Sequence, residues 1–438
     1  MRVAALAAAL AAASFLPGQP LGVGVLVVAL LVAAAAWRAA PLGRQALVYA
    51  TLALVLASMC VIRDAGWVIA LDLAAAWALG SIAASGARLI ALAAPVVRLR
   101  YAHLAAPAVP SGLAPAARGA VVGGLLVVPF GALFWTADAA FAELSQAVPL
   151  PSAASLPGRA LAFTVVLAAA LGLALAAQRP IPSPSLRLPR RFSVLEWAIP
   201  LALLDALFAC FVGVQFAVFF GGHDHVLRTG GLTYAEYARQ GFWQLLAASA
   251  LTLAVIGGAA FLTDTPHRIH RVIRRALLGA LCLLTLVVLA SALRRLLLYE
   301  DAFGLTRSRL LAESFALWLG GFFVLLLAAG LLRAARRRFV SIALVGTAAG
   351  LLAFSLANPD GRIAKRNIQG WRDTGRLDLS YLQSLSADAA PAIAELPAGL
   401  ERAALRPLDV RLSRAEPWSS FNLSRRRARD ILNTASGG

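Results

Sequence analysis

Residues 66–85, GWVIALDLAAAWALGSIAAS, indicate a helix that crosses a membrane. The hydrocarbon core of a bilayer is crossed by about 20 predominantly apolar residues in helical form. This stretch has that length and contains a single charged residue, Asp72. Comparable stretches recur, so we predict an all-α fold, a polytopic transmembrane helical bundle of about eleven spans, near residues 4–16, 21–37, 45–62, 66–85, 119–137, 159–177, 197–220, 242–262, 276–298, 312–332 and 339–356.

The composition excludes a soluble globular protein and a disordered one. Hydrophobic residues make up 60% of the 438 residues and charged residues 14%, whereas soluble domains average roughly 45–50% and about 25%. A single soluble core stops growing at about 250–300 residues, so it cannot bury this much apolar surface. The composition therefore indicates a protein with many membrane spans.

Arginine is distributed unevenly between the predicted loops of this chain, whose net charge is +19. Loops that follow the even-numbered spans hold 18 arginines, and the intervening loops hold 8. Because cytoplasmic loops of membrane proteins are enriched in Lys and Arg, the bias predicts a cytoplasmic N-terminus and a C-terminal tail on the outer face. Most of the 40 basic residues occupy short loops, and no basic module with interleaved aromatic side chains occurs, which argues against a nucleic-acid partner.

Four regions follow from the span pattern. Residues 1–177 form an N-terminal membrane block of about six spans, and residues 193–356 form a C-terminal block of about five. Between them, residues 178–192 (QRPIPSPSLRLPRRF) are typical of an extended cytoplasmic linker. Residues 357–438 form a small helical extramembrane tail, and we expect its first part, to residue 396, to dock on the outer ends of the last five spans.

The N-terminus and two later positions carry local signals. The first apolar run also resembles a signal peptide, but we favour a retained span because no clear polar cleavage region follows it. Thr306 is placed to cap the tenth span, since Ser, Thr, Asp and Asn accept hydrogen bonds from the first free amides of a helix. Asn358-Pro359 predicts a helix start, with asparagine as cap and proline at the first position.

Three polar strings next to span ends are expected to form one rim on the outer face. They are LTYAEYARQGFW (232–243), LYEDAFGLTRSRLLAE (298–313) and NPDGRIAKRNI (358–368). Uncompensated charge at a membrane boundary is unfavourable, so we expect the strings to meet and a carboxylate to pair with an arginine of another string. The rim either recognises a ligand or fixes the spans against the tail. The candidate binding residues are Tyr234, Glu236, Tyr237, Arg239, Glu300, Asp301, Arg307, Arg309, Asn358, Asp360, Arg366 and Asn367.

These strings carry a resemblance to a known family. FGG (220–222), LTYAEYARQGFW, YEDAFGLTRSRL, NPDGRIAKRNI and LDLSYLQSLSADAAPAI (377–393) follow one another in order. In this, the chain resembles an uncharacterised family of bacterial inner-membrane proteins, catalogued as a domain of unknown function. The resemblance covers about residues 195–435. It implies a multi-pass protein of the bacterial inner membrane, and it implies no activity. In such a membrane the tail, which the arginine distribution predicts on the outer face, would be periplasmic.

Two carboxylates lie within predicted spans, Asp72 and Asp205. Such residues are costly in a membrane and are candidates for a proton or ion site. The alternative is a carboxylate that faces the bundle and accepts hydrogen bonds from serine or the backbone. His223-Asp224-His225 has the residue types of a metal site without an evident fourth ligand, and no nucleotide-binding or hydrolase motif occurs. We therefore predict neither a metal nor a cofactor.

These observations favour a non-enzymatic scaffold or sensor in the membrane. Its outer rim is expected to bind an envelope protein or a lipid, and the lipid bilayer itself is a partner. The alternative is a secondary transporter or lipid carrier that uses Asp72 or Asp205. A membrane transferase that uses Glu300, Asp301 and Asp360 has the least support. The sequence specifies no oligomeric state.

Overall fold

The computed structural model describes residues 2–38, 43–84, 166–167, 194–220, 245–246, 248–253, 255–257, 259 and 267–436, and all regular structure within them is helical. The predicted all-α class is confirmed for these residues. The apolar helices are α1 (Arg2–Phe15), α2 (Val23–Trp37), α3 (Arg44–Ile62), α4 (Gly66–Ala84), α5 (Val194–Phe220), α6 (Arg268–Phe303), α7 (Arg307–Leu331) and α9 (Phe339–Leu356). The others are α8 (Arg333–Arg337), α10 (Pro359–Thr374), α11 (Leu379–Gln383), α12 (Ala390–Ile393), α13 (Ala398–Leu412) and α14 (Leu423–Ser436), with 3-10 turns at Ala387–Ala389 and Trp418–Ser420.

Several of these helices have membrane-spanning length. In the described part of the chain, five segments are long and apolar enough to cross a bilayer: α3, α4, residues Arg268–Asp301 of α6, α7 and α9. Shorter apolar helices, among them α1 and α2, coincide with further predicted spans. The chain is thus indicated to be a multi-pass membrane protein. The spans predicted at 119–137 and 159–177, residues 166–167 excepted, lie outside the described residues.

The described residues belong to two compact units. Unit 1 takes its residues from the ranges 1–184, 351–361 and 379–438. Unit 2 takes its residues from the ranges 185–350 and 362–378.

Unit 1 is built on α1 to α4 and the C-terminal helices. Each of the first three helices packs on the next one along the chain. Alanine occupies many of the buried positions in α1 and α2, and small side chains allow helices to approach closely in a membrane protein. Helix α14 contacts α12, α13 and α3.

The tail departs in part from the expectation that it docks on the ends of the last five spans. Residues 362–378 lie in unit 2, where Arg366 and Asn367 contact the end of α6 and the connection to α7 as expected. Residues 379–436 instead pack in one unit with α1 to α4 and the last turn of α9. The physical reason is a set of buried hydrogen bonds from residues 60–65 to residues 386–388 and 422–425. These residues connect α3 to α4, so the N-terminal helices supply the main polar surface for the tail.

Unit 2 contains helices α5, α6 and α7. Helix α6 packs against both α5 and α7. Its core includes the fully buried side chains of Leu281, Leu319 and Phe323. Helix α6 ends at Gly304, whose φ of 74° lies in the left-handed region that glycine adopts without strain. Helix α7 then begins after Thr306, whose side chain accepts a hydrogen bond from the backbone N–H of Arg309. The predicted threonine cap is confirmed.

Candidate functional site

The connection between α3 and α4 holds a buried arginine. Arg63 donates from Nε to the carbonyl of Ser355 at 2.7 Å and from Nη2 to the carbonyl of Leu356 at 2.5 Å. These carbonyls belong to the last turn of α9, where helix geometry leaves acceptors unpaired and the helix dipole favours a cation. The remaining nitrogen of Arg63 lies 3.7 Å from Asp388. Arg63 therefore joins the end of α9 to the tail.

Asp388 accepts hydrogen bonds from the α3–α4 connection and from the start of α14. Its Oδ2 accepts from the backbone N–H groups of Asp64 at 2.8 Å and Ala65 at 2.7 Å, and its Oδ1 accepts from the hydroxyl of Ser424 at 2.5 Å. Burial raises the pKa of Asp388 above its ordinary value, while the hydrogen bond from Ser424, the two backbone donors and nearby Arg63 act in the opposite direction. The carboxylate thus satisfies the free amides at the start of α4.

Asp64 and Arg425 form the second half of this arrangement. Arg425 Nη1 lies 2.7 Å from Asp64 Oδ1, and the backbone N–H of Ala387 donates to Asp64 Oδ2 at 3.1 Å. Arg425 also pairs with Glu416 at 3.1 Å. The side chain of Arg425 is 4% exposed, so its charge is balanced within the protein and not by solvent.

Arg425 also contacts the connection between α1 and α2. Its Nη2 donates to the carbonyl of Leu21 at 3.0 Å and to the carbonyl of Ser420. The backbone N–H of Val23 donates to the carbonyl of Phe421 at 3.1 Å. A Cβ at Gly22 would lie 2.5 Å from that same carbonyl oxygen, so glycine permits this close approach. Residues 418–421, which we call the tail loop, therefore contact the start of α2 directly.

Together these contacts form a tail anchor, which we define as Arg63, Asp64, Asp388, Asn422, Ser424 and Arg425. Asn422 donates to the carbonyls of Cys60 at 2.9 Å and Arg63 at 2.7 Å. The anchor brings the end of α1, the start of α2, the α3–α4 connection and the end of α9 to one side of unit 1, the side that carries the tail. Its carboxylates and guanidinium groups face one another, which is the arrangement of a structural ion-pair network.

Two of the predicted rim residues belong to this side of unit 1. Asp360 is fully buried and accepts from the indole N–H of Trp67 at 3.0 Å and from the backbone N–H of Ser386 at 2.9 Å. Asn358 has a φ of 54°, and its Oδ1 accepts from the N–H of Gly361 at 3.1 Å. Helix α10 starts at Pro359 as predicted. Asn358 thus caps the start of α10, and Asp360 joins the start of α4 to the tail.

The intramembrane Asp72 is also accounted for within unit 1. It is fully buried, and the hydroxyl of Ser355 donates to its carboxylate at 2.8 and 2.9 Å. The sequence left open whether Asp72 is a proton or ion site or a carboxylate that accepts hydrogen bonds from serine or the backbone. This geometry matches the second alternative. Asp205 in unit 2 differs, because neither of its carboxylate oxygens has a hydrogen-bond partner in the described part of the chain.

In unit 2, two of the polar strings come together. Arg366 of the third string pairs with Asp301 of the second at 2.5 Å, and the two side chains are 53% and 59% exposed. Arg362 lies 3.6 Å from Glu313. Asn367 accepts from the backbone N–H of Leu305 at 2.7 Å and donates to its carbonyl at 3.0 Å. The asparagine thus holds the start of α7 against α10.

A buried carboxylate and a cation lie beside these pairs. Arg309 stacks 4.3 Å from the ring centre of Tyr299 and donates to the carbonyl of Phe303 at 3.1 Å and to that of Gly304. Glu300 is 8% exposed, and its Oε1 has no hydrogen-bond partner among the described residues. We call Glu300, Asp301, Arg309, Glu313, Arg362, Arg366 and Asn367 the unit 2 rim.

The remaining predicted site residues divide into two groups. Arg307 is half-buried in the first turn of α7. Tyr234, Glu236, Tyr237 and Arg239 lie outside the described residues, as does the whole first string. Among the residues that are described, no group of three or more His, Cys, Asp or Glu side chains is placed to hold a metal ion.

Sequence reasoning missed the tail anchor. In the sequence Arg63 is one arginine of an outer loop, Arg425 belongs to a run of tail arginines expected to meet lipid phosphates, and nothing marks Asp388. A signal was present, because the three-residue connection Arg63-Asp64-Ala65 places two opposite charges between two spans. Charged residues in so short a connection between two apolar helices indicate side chains with partners inside the protein.

Comparison with known proteins gives one family. The model of a family described as "Domain of unknown function (DUF4153)" matches residues 25–396. This match begins well before the resemblance noted in the polar strings and ends earlier than it. No curated protein and no solved structure matches the chain.

Proposed function

The chain belongs to the family of domain of unknown function DUF4153, and we propose that it is a non-enzymatic scaffold or sensor of a bacterial inner membrane. In this proposal the unit 2 rim faces the periplasm and binds a charged group of an envelope protein or lipid. The observation that supports this proposal most directly is the exposed ion pair of Asp301 and Arg366, next to the two hydrogen bonds between Asn367 and the backbone of Leu305. Exposed ion pairs contribute only about 0–1 kcal/mol to stability. The contribution to stability therefore does not by itself explain this pair, since Asn367 already joins α10 to the connection between α6 and α7.

The charges of the rim suit a partner with both signs of charge. Arg362 and Arg366 are more than half exposed, and the carboxylate of Asp301 is accessible beside them. A zwitterionic headgroup or a charged protein loop can replace such pairs without leaving a charge unpaired. Helices α6 and α7 position the carboxylates, and α10 positions the two arginines.

Site-specific photo-crosslinking in intact cells tests this role. A photo-reactive residue at position 362 should give a discrete adduct, whose protein or lipid partner is identified by mass spectrometry. The same residue at position 402, an exposed arginine of α13 in unit 1, is the matched control and should not give that adduct. An adduct that persists unchanged in Asp301→Arg protein, or the absence of any adduct at position 362, would contradict the proposal.

The proposed orientation places the N-terminus in the cytoplasm and the tail in the periplasm. The 18 to 8 distribution of arginines supports it. The tail anchor supports one part of this assignment, that the tail shares a side with the α1–α2 and α3–α4 connections, as alternate connections of a membrane bundle do. A reporter that is active only in the periplasm, fused after the last residue, should be active; activity of a cytoplasm-only reporter there would reverse the assignment.

A second candidate function rests on Asp205. A carboxylate in an apolar helix without hydrogen-bond partners, in the described part of the chain, is the expected form of a proton or ion site. A secondary transporter or lipid carrier would use it as the titrating group. Proton uptake into proteoliposomes, lost in Asp205→Asn protein and retained in Asp72→Asn protein, would favour this function over the scaffold.

A further inference from the structure

The loop before α14 exposes aromatic side chains at the ends of apolar helices. Trp418 is 64% exposed, and its ring lies 5.0 Å from the ring of Phe15, the last residue of α1. Phe421 is 41% exposed and accepts a backbone hydrogen bond from Val23, the first residue of α2. Both aromatic residues therefore lie at the level where two apolar helices end. Tryptophan and other amphipathic aromatic residues are enriched at this level of a bilayer.

The first turns of α14 separate four arginines into two pairs. Arg425 and Arg429 face the protein and share Glu416. Successive residues of a helix are rotated by about 100°, so Arg426 and Arg427 point away from that side, and both are exposed. Asp430 is exposed one turn farther along and offsets only part of this charge. Two cations are thus left facing outward beside the aromatic loop.

The spacing places these cations at headgroup depth. Arg427 lies four residues beyond Leu423, where α14 begins, and the helical rise of about 1.5 Å per residue puts it roughly 6 Å from the loop along α14. Each polar headgroup layer is roughly 5–8 Å thick, and an arginine side chain can extend toward the phosphates. Aromatic anchors at the apolar boundary with arginines one turn beyond them are typical of segments that rest on an anionic membrane surface.

We propose that Trp418, Phe421, Arg426 and Arg427 form a binding surface for the headgroup of an anionic phospholipid. The aromatic side chains enter the boundary between acyl chains and headgroups, and the two guanidinium groups bind the oxygens of the negatively charged phosphate. Arginine offers paired N–H donors that match phosphate oxygens. This surface is in unit 1 and is independent of the role proposed for the unit 2 rim.

The test uses the full-length protein in a zwitterionic detergent, titrated with short-chain phosphatidylglycerol and, separately, phosphatidylcholine while the unfolding temperature is followed. The wild-type protein should bind phosphatidylglycerol more tightly. A basic residue near an anionic surface contributes about 1 kcal/mol, so the double variant Arg426→Ala with Arg427→Ala should bind it about 30-fold more weakly. The charge-retaining variant Arg426→Lys with Arg427→Lys should lose only a few-fold in affinity, because lysine keeps the charge but not the paired N–H donors.

A charge-matched control separates this surface from general attraction. The double variant Arg402→Ala with Arg406→Ala removes two exposed arginines of α13 and should leave the affinity for phosphatidylglycerol within about twofold. Equal binding of both lipids, an equal loss in the control variant, or the same stabilisation by inorganic phosphate would each overturn the proposal. Bromine-labelled phosphatidylglycerol should also quench less tryptophan emission in Trp418→Phe protein than in wild type, and equal quenching would place Trp418 away from the lipid.

Discussion

The Nη1 atom of Arg425 lies 2.7 Å from the Oδ1 atom of Asp64, although 361 residues separate the two in the chain. This pair connects the last helix to the turn between the third and fourth helices. Each partner has a second acceptor or donor: Glu416 for Arg425 and the backbone N–H of Ala387 for Asp64. Its surroundings therefore satisfy both charges.

Replacing Arg425 by alanine should release the tail from the N-terminal helices. The change leaves Asp64 and Glu416 without their buried cation, and breaking a buried pair costs about 3–5 kcal/mol. We expect lower thermal stability in detergent and faster proteolysis after residue 412. Arg426→Ala, which removes the exposed neighbour, should change stability by at most about 0.5 kcal/mol; an equal loss in both variants would show that Arg425 has no special role.

Replacing Gly22 by alanine should displace the tail loop. The new Cβ would lie 2.5 Å from backbone atoms of Ser420 and Phe421, and backbone atoms cannot move aside as a flexible side chain can. We expect increased hydrogen exchange at the amides of residues 418–425. Gly66→Ala is the matched control, because nothing lies within 4 Å of its added Cβ, and protection of the loop in Gly22→Ala protein would contradict the packing described.

Ser355→Ala should destabilise the protein through Asp72. The buried carboxylate would lose the hydroxyl donor at 2.8 and 2.9 Å, and an unsatisfied buried polar group costs about 1–3 kcal/mol. Removing both polar partners, in Asp72→Leu with Ser355→Ala, should recover most of this loss because no orphaned group remains. Thermal unfolding of the two single variants and the double variant measures the coupling, and strictly additive losses would rule it out.

Asn367→Ala should loosen the connection between α6 and α7. The side chain is the hydrogen-bond partner of both the N–H and the carbonyl of Leu305. Its loss therefore leaves these two backbone groups without a protein partner. We expect faster hydrogen exchange at residues 304–308 and a loss of about 1–3 kcal/mol. Asn433→Ala, an exposed asparagine of α14, should leave that exchange unchanged.

The pH dependence of stability should carry a contribution from Asp388. Burial raises the pKa of Asp388 in the folded protein above its unfolded value of about 3.9, so the folded state binds the proton more tightly. The contribution of this group is then fully present below about pH 4 and is lost as the pH rises through the folded pKa. The stability of wild type minus that of Asp388→Asn, measured by thermal unfolding from pH 4 to 7, should fall with pH, and a rise would reverse the assigned shift.

Local signals in the sequence predicted several features correctly. Thr306 caps α7, and α10 begins at Pro359 after Asn358, because a cap depends on residues within one turn of itself. The apolar helices of membrane length also lie where hydropathy predicted them. The meeting of Asp301 with Arg366 followed from two short strings next to span ends.

Other assignments required the folded chain. Asp360 and Asp301 belong to strings predicted to form one rim, yet Asp360 is buried against Trp67 and Ser386 in unit 1, whereas Asp301 is an exposed partner of Arg366 in unit 2. Nothing within a few residues of either aspartate distinguishes the two environments. The difference arises from which helix ends lie opposite each carboxylate.

Hydropathy alone indicates a helical membrane protein, since a run of about 20 apolar residues is stable across a bilayer wherever it occurs in the chain. The folded chain was needed to show that residues 379–436 pack with the first four helices, and that Asp64 and Arg425 form a buried pair. The reason is physical. Burial of a helix in lipid depends on its own residues, but a buried ion pair requires two specific side chains to meet in exact geometry, and in this protein those side chains come from opposite ends of the chain.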